Sequence, residues 1–273
     1  MYINGIFEGG GIKGLAYIGV IRFLEERGYR FFAAGGSSVG ALFSSLVVAK
    51  YNSYELEELV KNFDINILLN SKSSKTVEKF INGIKYQGLY SLKFFENYLD
   101  NVLKRKGISK FLDVKMGNDY LLKIIVTDLK NKRMVIIPDD LPKYNFSKDN
   151  FSIAKAVAMS CSLPVVFVPY RIDNNIFIDG GVTNNFPINL FKDSSIPTVG
   201  FKLNEFKKQD SFLDKLKYKI FKTKEEVNFG RYNIVEVNTY GYKATDFKKG
   251  LENYQELIHL GYSSMRDYFY SKL

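Results

Sequence analysis

The chain has 273 residues, 46% of them apolar and 15% aromatic (19 Tyr, 23 Phe, no Trp), with a formal net charge of +10. A chain this long and this apolar can bury a large core, which excludes intrinsic disorder and suits one large domain over 1–273. A single cysteine, Cys161, excludes an intramolecular disulfide and a cysteine-based metal cluster. The basic excess is consistent with an anionic lipid surface, with nucleic acid, or with a compositional bias toward Lys, Asn, Ile and Tyr.

The opening Met1–Glu8 has no basic stretch followed by a long apolar run, so no secretory signal is expected. No window approaches the ~18 uncharged apolar residues that a membrane span requires. The expectation is a soluble or peripheral protein, cytoplasmic or held at a membrane surface. Tyr2–Glu8 carries Ile3, Ile6 and Phe7 and reads as a strand. Gly9-Gly10-Gly11-Ile12-Lys13-Gly14 breaks it. Leu15 to Arg27 places Leu15, Ile18, Val20, Phe23 and Leu24 on one helical face and stops at Gly28. Arg30–Ala34 is a second apolar run, Gly35 to Gly40 a tight turn, and Ala41–Lys50 an apolar helix. Strand, glycine loop, helix, strand, turn and helix in that order imply a parallel sheet with helices on its faces.

Asn52 or Ser53 caps a helix to about Phe63, and Lys75–Ile84 and Ser91–Lys106 read as further helices, making 52–120 a helical insertion. Leu121–Asp128 and Arg133–Ile137 read as strands, and Ser152–Ser160 as a short helix. Pro164–Tyr170 reads as extended. Ile176–Ile178 reads as a strand ending in Asp179-Gly180-Gly181. Thr198–Leu203 and Ile234–Asn238 are strands, and Leu251–Phe269 is a closing amphipathic helix. The segment 205–232 interleaves Lys207, Lys208, Lys215, Lys217 and Lys219 with Leu213, Leu216 and Ile220. It reads as a basic amphipathic flap that either covers the core or lies on an anionic membrane.

Three places carry chemistry. Gly36-Ser37-Ser38-Val39-Gly40 fits G-x-S-x-G, in which flanking glycines let strand and helix crowd together and push the serine hydroxyl outward at a helix N-terminus. A plain strand-to-helix turn fits the same residues. Gly9, Gly11 and Gly14 fit G-x-G-x-x-G, but the second strand ends at Ala33-Ala34-Gly35-Gly36 with no acid for a ribose, which counts against a dinucleotide site. The other use of consecutive glycines is to aim the Gly9, Gly10 and Gly11 amides at one oxyanion. Asp179 at a strand end, backed by two glycines, is a candidate base, although Asp-Gly is also a common turn. The one histidine, His259, completes the chain order Ser, Asp, His of a conventional triad. It falls inside a helical pattern beside Leu257, Ile258 and Leu260, and Ser38 follows only about two strands, which counts against that triad.

Taken together, these segments resemble the patatin-like phospholipase family. Gly9–Gly14 resembles its glycine-rich loop, Gly36–Gly40 its nucleophile elbow, and Asp179-Gly180-Gly181 its Asp-Gly-Gly motif. Ala158–Pro164 followed by Phe167 resembles the segment before that aspartate, and Asn185 and Pro187 fit the stretch after it. The resemblance implies a three-layer α/β/α fold around a central, mainly parallel sheet. It implies a catalytic dyad of Ser38 and Asp179 with no histidine, and oxyanion donors at Gly9, Gly10 and Gly11. Lys13, Gly14, Gly36, Gly40, Gly180 and Gly181 would support those motifs, with no metal and no cofactor. The expected substrate is a phospholipid, a lysophospholipid or another acyl ester, met with peripheral contact to an anionic membrane and without nucleic acid. A general carboxylesterase and a non-enzymatic lipid-binding module are the alternatives.

Overall fold

The structure is a computed structural model and describes residues 1–65, 67, 79–81, 84–86, 90–164, 166–204 and 232–272. Its first strand, β1 (Tyr2–Phe7), is buried from Ile3 onward, as expected of a central parallel strand covered on both faces. The one polar side chain in that run, Asn4, is fully buried and donates to Ser194 Oγ at 2.9 Å and to the Ile196 carbonyl at 3.0 Å. A tight 3-10 turn over Gly11–Leu15 leads into α1 (Ala16–Glu26), followed by β2 (Arg30–Ser37) and α2 (Val39–Val48). Phe7 packs against Tyr17 and Phe201 with ring centroids 5.0 Å apart in each case, and against Phe31 at 5.5 Å, so β1, β2 and α1 share one aromatic core.

Helix α3 (Ser53–Lys61) starts at a complete capping box. Asn52 accepts the Glu55 N–H at 2.9 Å, and Glu55 accepts the Asn52 N–H at 2.9 Å. Such a cap contributes about 1 kcal/mol. Next come the hairpin β3 (Lys79–Ile81) and β4 (Ile84–Tyr86), α4 (Lys93–Lys104), and a small hairpin of β5 (Lys115–Met116) and β6 (Asp119–Tyr120). Strands β7 (Leu122–Asp128) and β8 (Arg133–Ile137), helix α5 (Ile153–Ser160), β9 (Tyr170–Ile172), β10 (Asn175–Asp179) and the short α6 (Gly181–Asn184) build the middle of the molecule. Strands β11 (Thr198–Asn204) and β12 (Asn233–Asn238) and helices α7 (Phe247–Glu252) and α8 (Tyr254–Tyr270) complete it.

Among the described residues the main sheet has the order β12-β11-β1-β2-β7-β10-β9, with β8 also paired to β7. The pairs from β12 to β7 are parallel, and the β7–β8, β7–β10 and β10–β9 pairs are antiparallel. This is the helix-flanked, largely parallel sheet expected from the sequence. The register of β7 matters most. Leu122–Ile125 pair with Ala34–Ser37 of β2, and Val126–Asp128 pair with Asp179–Phe177 of β10. Strand β8 pairs across Ile124–Asp128, so it occupies the opposite edge. Strands β2 and β10 therefore lie end to end on one edge of β7, and their C-terminal ends meet between Ile125 and Val126.

Some elements differ from the sequence reading. The helix expected over Lys75–Ile84 is replaced, where described, by the β3–β4 hairpin with Ile81 opposite Ile84. Aromatic and β-branched residues on both sides of Asn82-Gly83 are a hairpin signal that outweighs the weak helical periodicity. The closing helix is two helices broken at Asn253. Nearly all of the basic segment, 205–231, lies outside the described residues. Among the described residues, no helix is long and apolar enough to cross a membrane.

Candidate active site

The chain leaves β2 at Ser37 and enters α2 at Val39, so a single residue makes the turn. Ser38 has φ 52° and ψ −126°, a conformation that costs about 1–3 kcal/mol and persists only where its surroundings enforce it. Two contacts do so. The Ser38 N–H donates to Ser160 Oγ at 2.8 Å, and Ser160 Oγ donates to the Ile125 carbonyl at 2.6 Å. Ser160 is fully buried at the end of α5 and bridges the elbow to β7. The elbow also rests directly on the end of β1: a Cβ on Gly40 would collide with the Phe7 and Glu8 carbonyl oxygens.

Asp179 comes to the same point from the other strand. It is 1% exposed. Its N–H donates to the Ser162 carbonyl at 3.0 Å, the Gly180 N–H donates to the Ser160 carbonyl at 3.2 Å, and Thr127 Oγ1 donates to the Asp179 carbonyl at 2.9 Å. A side chain on Gly180 would strike the Ile125 carbonyl, so only glycine lets this loop lie against β7. The Asp179 carboxyl accepts the Gly181 N–H at 2.7 Å, and the Ser38 hydroxyl faces it across the polar end of one cavity. Burial pushes the carboxyl up to about 7, against the pull of the Ser38 hydroxyl and the Gly181 N–H. Ser160-Cys161-Ser162 thus supports both chain ends, and this explains why a small polar run follows the apolar helix α5.

The glycine loop crosses above the elbow. The Gly9 N–H is committed to the Asn185 carbonyl at 3.0 Å, and Gly9 is buried. Of the three glycine amides expected to converge, those of Gly10 and Gly11 are partly open and have no hydrogen-bond acceptor among the described residues. Gly11 has φ 55°, the left-handed region that glycine enters freely. Gly14 packs against Val39, and Lys13 is buried, with its charge lowering the pKa of the neighbouring Glu8. Glu8 keeps some exposed surface, but its carboxyl is enclosed. Burial raises it to about 7 despite the Leu203 N–H and the charges of Lys202 and Lys13.

These groups open onto one cavity of about 530 Å³, inside the size range of small-molecule sites. Gly10, Gly11, Ser38, Cys161 and Asp179 line its polar end. Side chains of α2, α3 and α4 form its apolar wall, among them Leu42, Leu46, Leu59, Phe95 and Leu99. The Cys161 thiol lines the same end of the cavity as Ser38, and burial followed by the Asp179 charge pushes its pKa well up. It is therefore a neutral neighbour of the serine. His259 is far from this arrangement in function: it is exposed on α8, with Ser263 Oγ 3.5 Å from Nε2, and does not line the cavity. Ser160, Glu8 and Cys161 were not singled out as site residues by the sequence. The small polar run before Pro164 carried the signal for Ser160 and Cys161.

The patatin-like phospholipase family model matches residues 5–192. The uncharacterized protein YqhO of Bacillus subtilis is 34% identical, with 96% of each chain covered. The probable lipid hydrolase 463L of Invertebrate iridescent virus 6 is 25% identical over 68% of this chain and 61% of its own length. Among solved structures, VipD from Legionella pneumophila has a TM-score of 0.66 at 16% identity, covering 98% of this chain and 67% of that one.

Proposed function

The chain belongs to the patatin-like phospholipase family, a family of lipid hydrolases, and on that premise we propose that it cleaves carboxylic esters of phospholipids or lysophospholipids with Ser38 as nucleophile and Asp179 as base. One observation carries this reading. The strained Ser38 and the enclosed Asp179 carboxyl share the polar end of an otherwise apolar cavity, beside the Gly10 and Gly11 amides, which have no acceptor among the described residues.

The reaction follows from that geometry. Asp179 accepts the proton of Ser38 Oγ as Oγ bonds to the ester carbonyl carbon. The carbonyl π pair moves to oxygen, and the Gly10 and Gly11 N–H groups stabilise that charge. Collapse of the intermediate breaks the bond to the alcohol, which leaves with the proton held by Asp179. Water then attacks the acyl-enzyme while Asp179 accepts its proton, and the fatty acid departs as Ser38 Oγ recovers a proton. A carboxyl raised to about 7 suits this role, because its basicity lies near neutral pH while it remains available in the ionised form.

The test is fatty-acid release from mixed phospholipid vesicles, lysophospholipid micelles and a short soluble ester, by wild type, Ser38→Ala, Asp179→Ala and His259→Ala. Activity lost in the first two variants and kept in the third is expected. Wild-type activity in Ser38→Ala would end the proposal. Hydrolysis of the short ester alone would replace it with a general carboxylesterase.

A further inference from the structure

Gly9 is gripped on both sides by one residue, Asn185. Asn185 Nδ2 donates to the Gly9 carbonyl at 3.0 Å, and the Asn185 carbonyl accepts the Gly9 N–H at 3.0 Å. The same Nδ2 also reaches Glu8 Oε1 at 3.4 Å, while Glu8 Oε2 takes the Leu203 N–H at 2.6 Å. Glu8 is thus tied to β11 and holds the Asn185 amide in one orientation. A trans peptide is planar, with its N–H pointing opposite to its C=O. Turning the Gly9 carbonyl toward Asn185 therefore turns the Gly10 N–H away from Asn185. Gly10 lines the cavity with Ser38 and Asp179, whereas Gly9 does not.

We propose that Asn185 is a positioning residue that aims the Gly10 amide at the reacting carbonyl, with the Glu8 carboxyl orienting the Asn185 side chain. The proposal rests on the esterase reading above. It also explains a feature of the fold. Asn185 directly follows α6, whose Gly181 N–H holds Asp179 Oδ1 at 2.7 Å. One short helical turn therefore contacts both the base and the peptide that presents the oxyanion donor.

Two readouts test it on the full chain with Asn185→Ala, the near-isosteric Asn185→Asp and Glu8→Gln. The first is amide hydrogen exchange of the peptide spanning residues 7–14. Exchange in the Asn185 variants is expected to rise about tenfold, with the rest of the β1–β2 region unchanged; unchanged exchange in this peptide overturns the clamp. This readout needs no catalysis, so it decides the clamp independently. Fluorophosphonate labelling of wild-type Ser38 separately decides the esterase reading. The second readout is kinetic. Losing one oxyanion donor costs about 10²–10³ in kcat, so the Asn185 variants should lose about 10²-fold in kcat with KM nearly unchanged. They should lose a comparable factor in affinity for an alkyl trifluoromethyl ketone, whose serine adduct carries the oxyanion, but not for the matching alcohol. Equal losses for ketone and alcohol, or a change in KM alone, overturn the positioning role.

Discussion

Replacing Asp179 by Asn removes an ionisable group while keeping the shape of the side chain, and the structure gives both the sign and the size of the effect on stability. The carboxyl is raised from 3.8 to about 7 in the folded protein, chiefly by burial. That shift of about 3 units corresponds to roughly 4 kcal/mol at 1.36 kcal/mol per unit. The folded state binds the proton more tightly than the unfolded chain, so stability falls as pH rises from about 4 to about 7 and is level above that. Above pH 7 the ionised Asp179 therefore strains the fold. Asn keeps the acceptor for the Gly181 N–H and carries no charge. Water admitted to the cavity lowers the cost, so Asp179→Asn should be more stable than wild type at pH 8 by about 2–4 kcal/mol. At 2–4 °C per kcal/mol this is roughly 5–15 °C in Tm. The gain should shrink toward zero at pH 4, where both proteins carry a neutral group. Thermal unfolding by circular dichroism at pH 4, 6 and 8 measures it. A variant no more stable than wild type at pH 8, or equally stabilised at pH 4, would refute the burial argument. The same variant should lose esterase activity, which is the expected trade of stability for a poised base.

In wild type, kcat/KM should rise with pH through an apparent pKa near 7, because Asp179 accepts a proton only when ionised. Glu8 also titrates near 7, so a Glu8→Gln profile separates the two: a rise that persists in it belongs to Asp179, and one that vanishes assigns the profile to Glu8. Ser160→Ala strands the Ser38 N–H and the Ile125 carbonyl without their shared partner, at about 1–3 kcal/mol for each buried group left unpaired. Denaturant unfolding should show the loss, accompanied by a drop in kcat as the elbow relaxes. Full stability in that variant would show that Ser160 does not hold the strained turn.

The residues proposed to bear the chemistry were legible because each is tied to a local backbone requirement. Gly40 must let α2 lie on the end of β1 and Gly180 must let the aspartate loop lie on β7, and each places a glycine within two positions of the proposed site residue. The strand–loop–helix alternation of the first fifty residues likewise fixed the parallel half of the sheet. What stayed hidden depends on long-range register. Nothing local in Gly9 shows that Asn185 takes its amide, because that partner arrives through α6 and 176 residues of chain. The basicity of Asp179 and Glu8 is set by what encloses them rather than by their neighbours in sequence.

The pairing of β7 shows this most clearly. A serine at the end of a parallel strand and an aspartate at the end of an antiparallel one lie 141 positions apart in sequence numbering. Both strands use the same edge of β7, one ending at Ile125 and the other at Val126. Approach from opposite directions makes the two strand ends face each other, so the serine and the carboxylate meet without a third side chain to bridge them. A parallel β10 would send Asp179 to the far end of β7 and would leave Ser38 needing another base. The antiparallel turn of this strand is therefore what allows the proposed two-residue site, and the sequence marks it only through the Asp-Gly-Gly that ends β10.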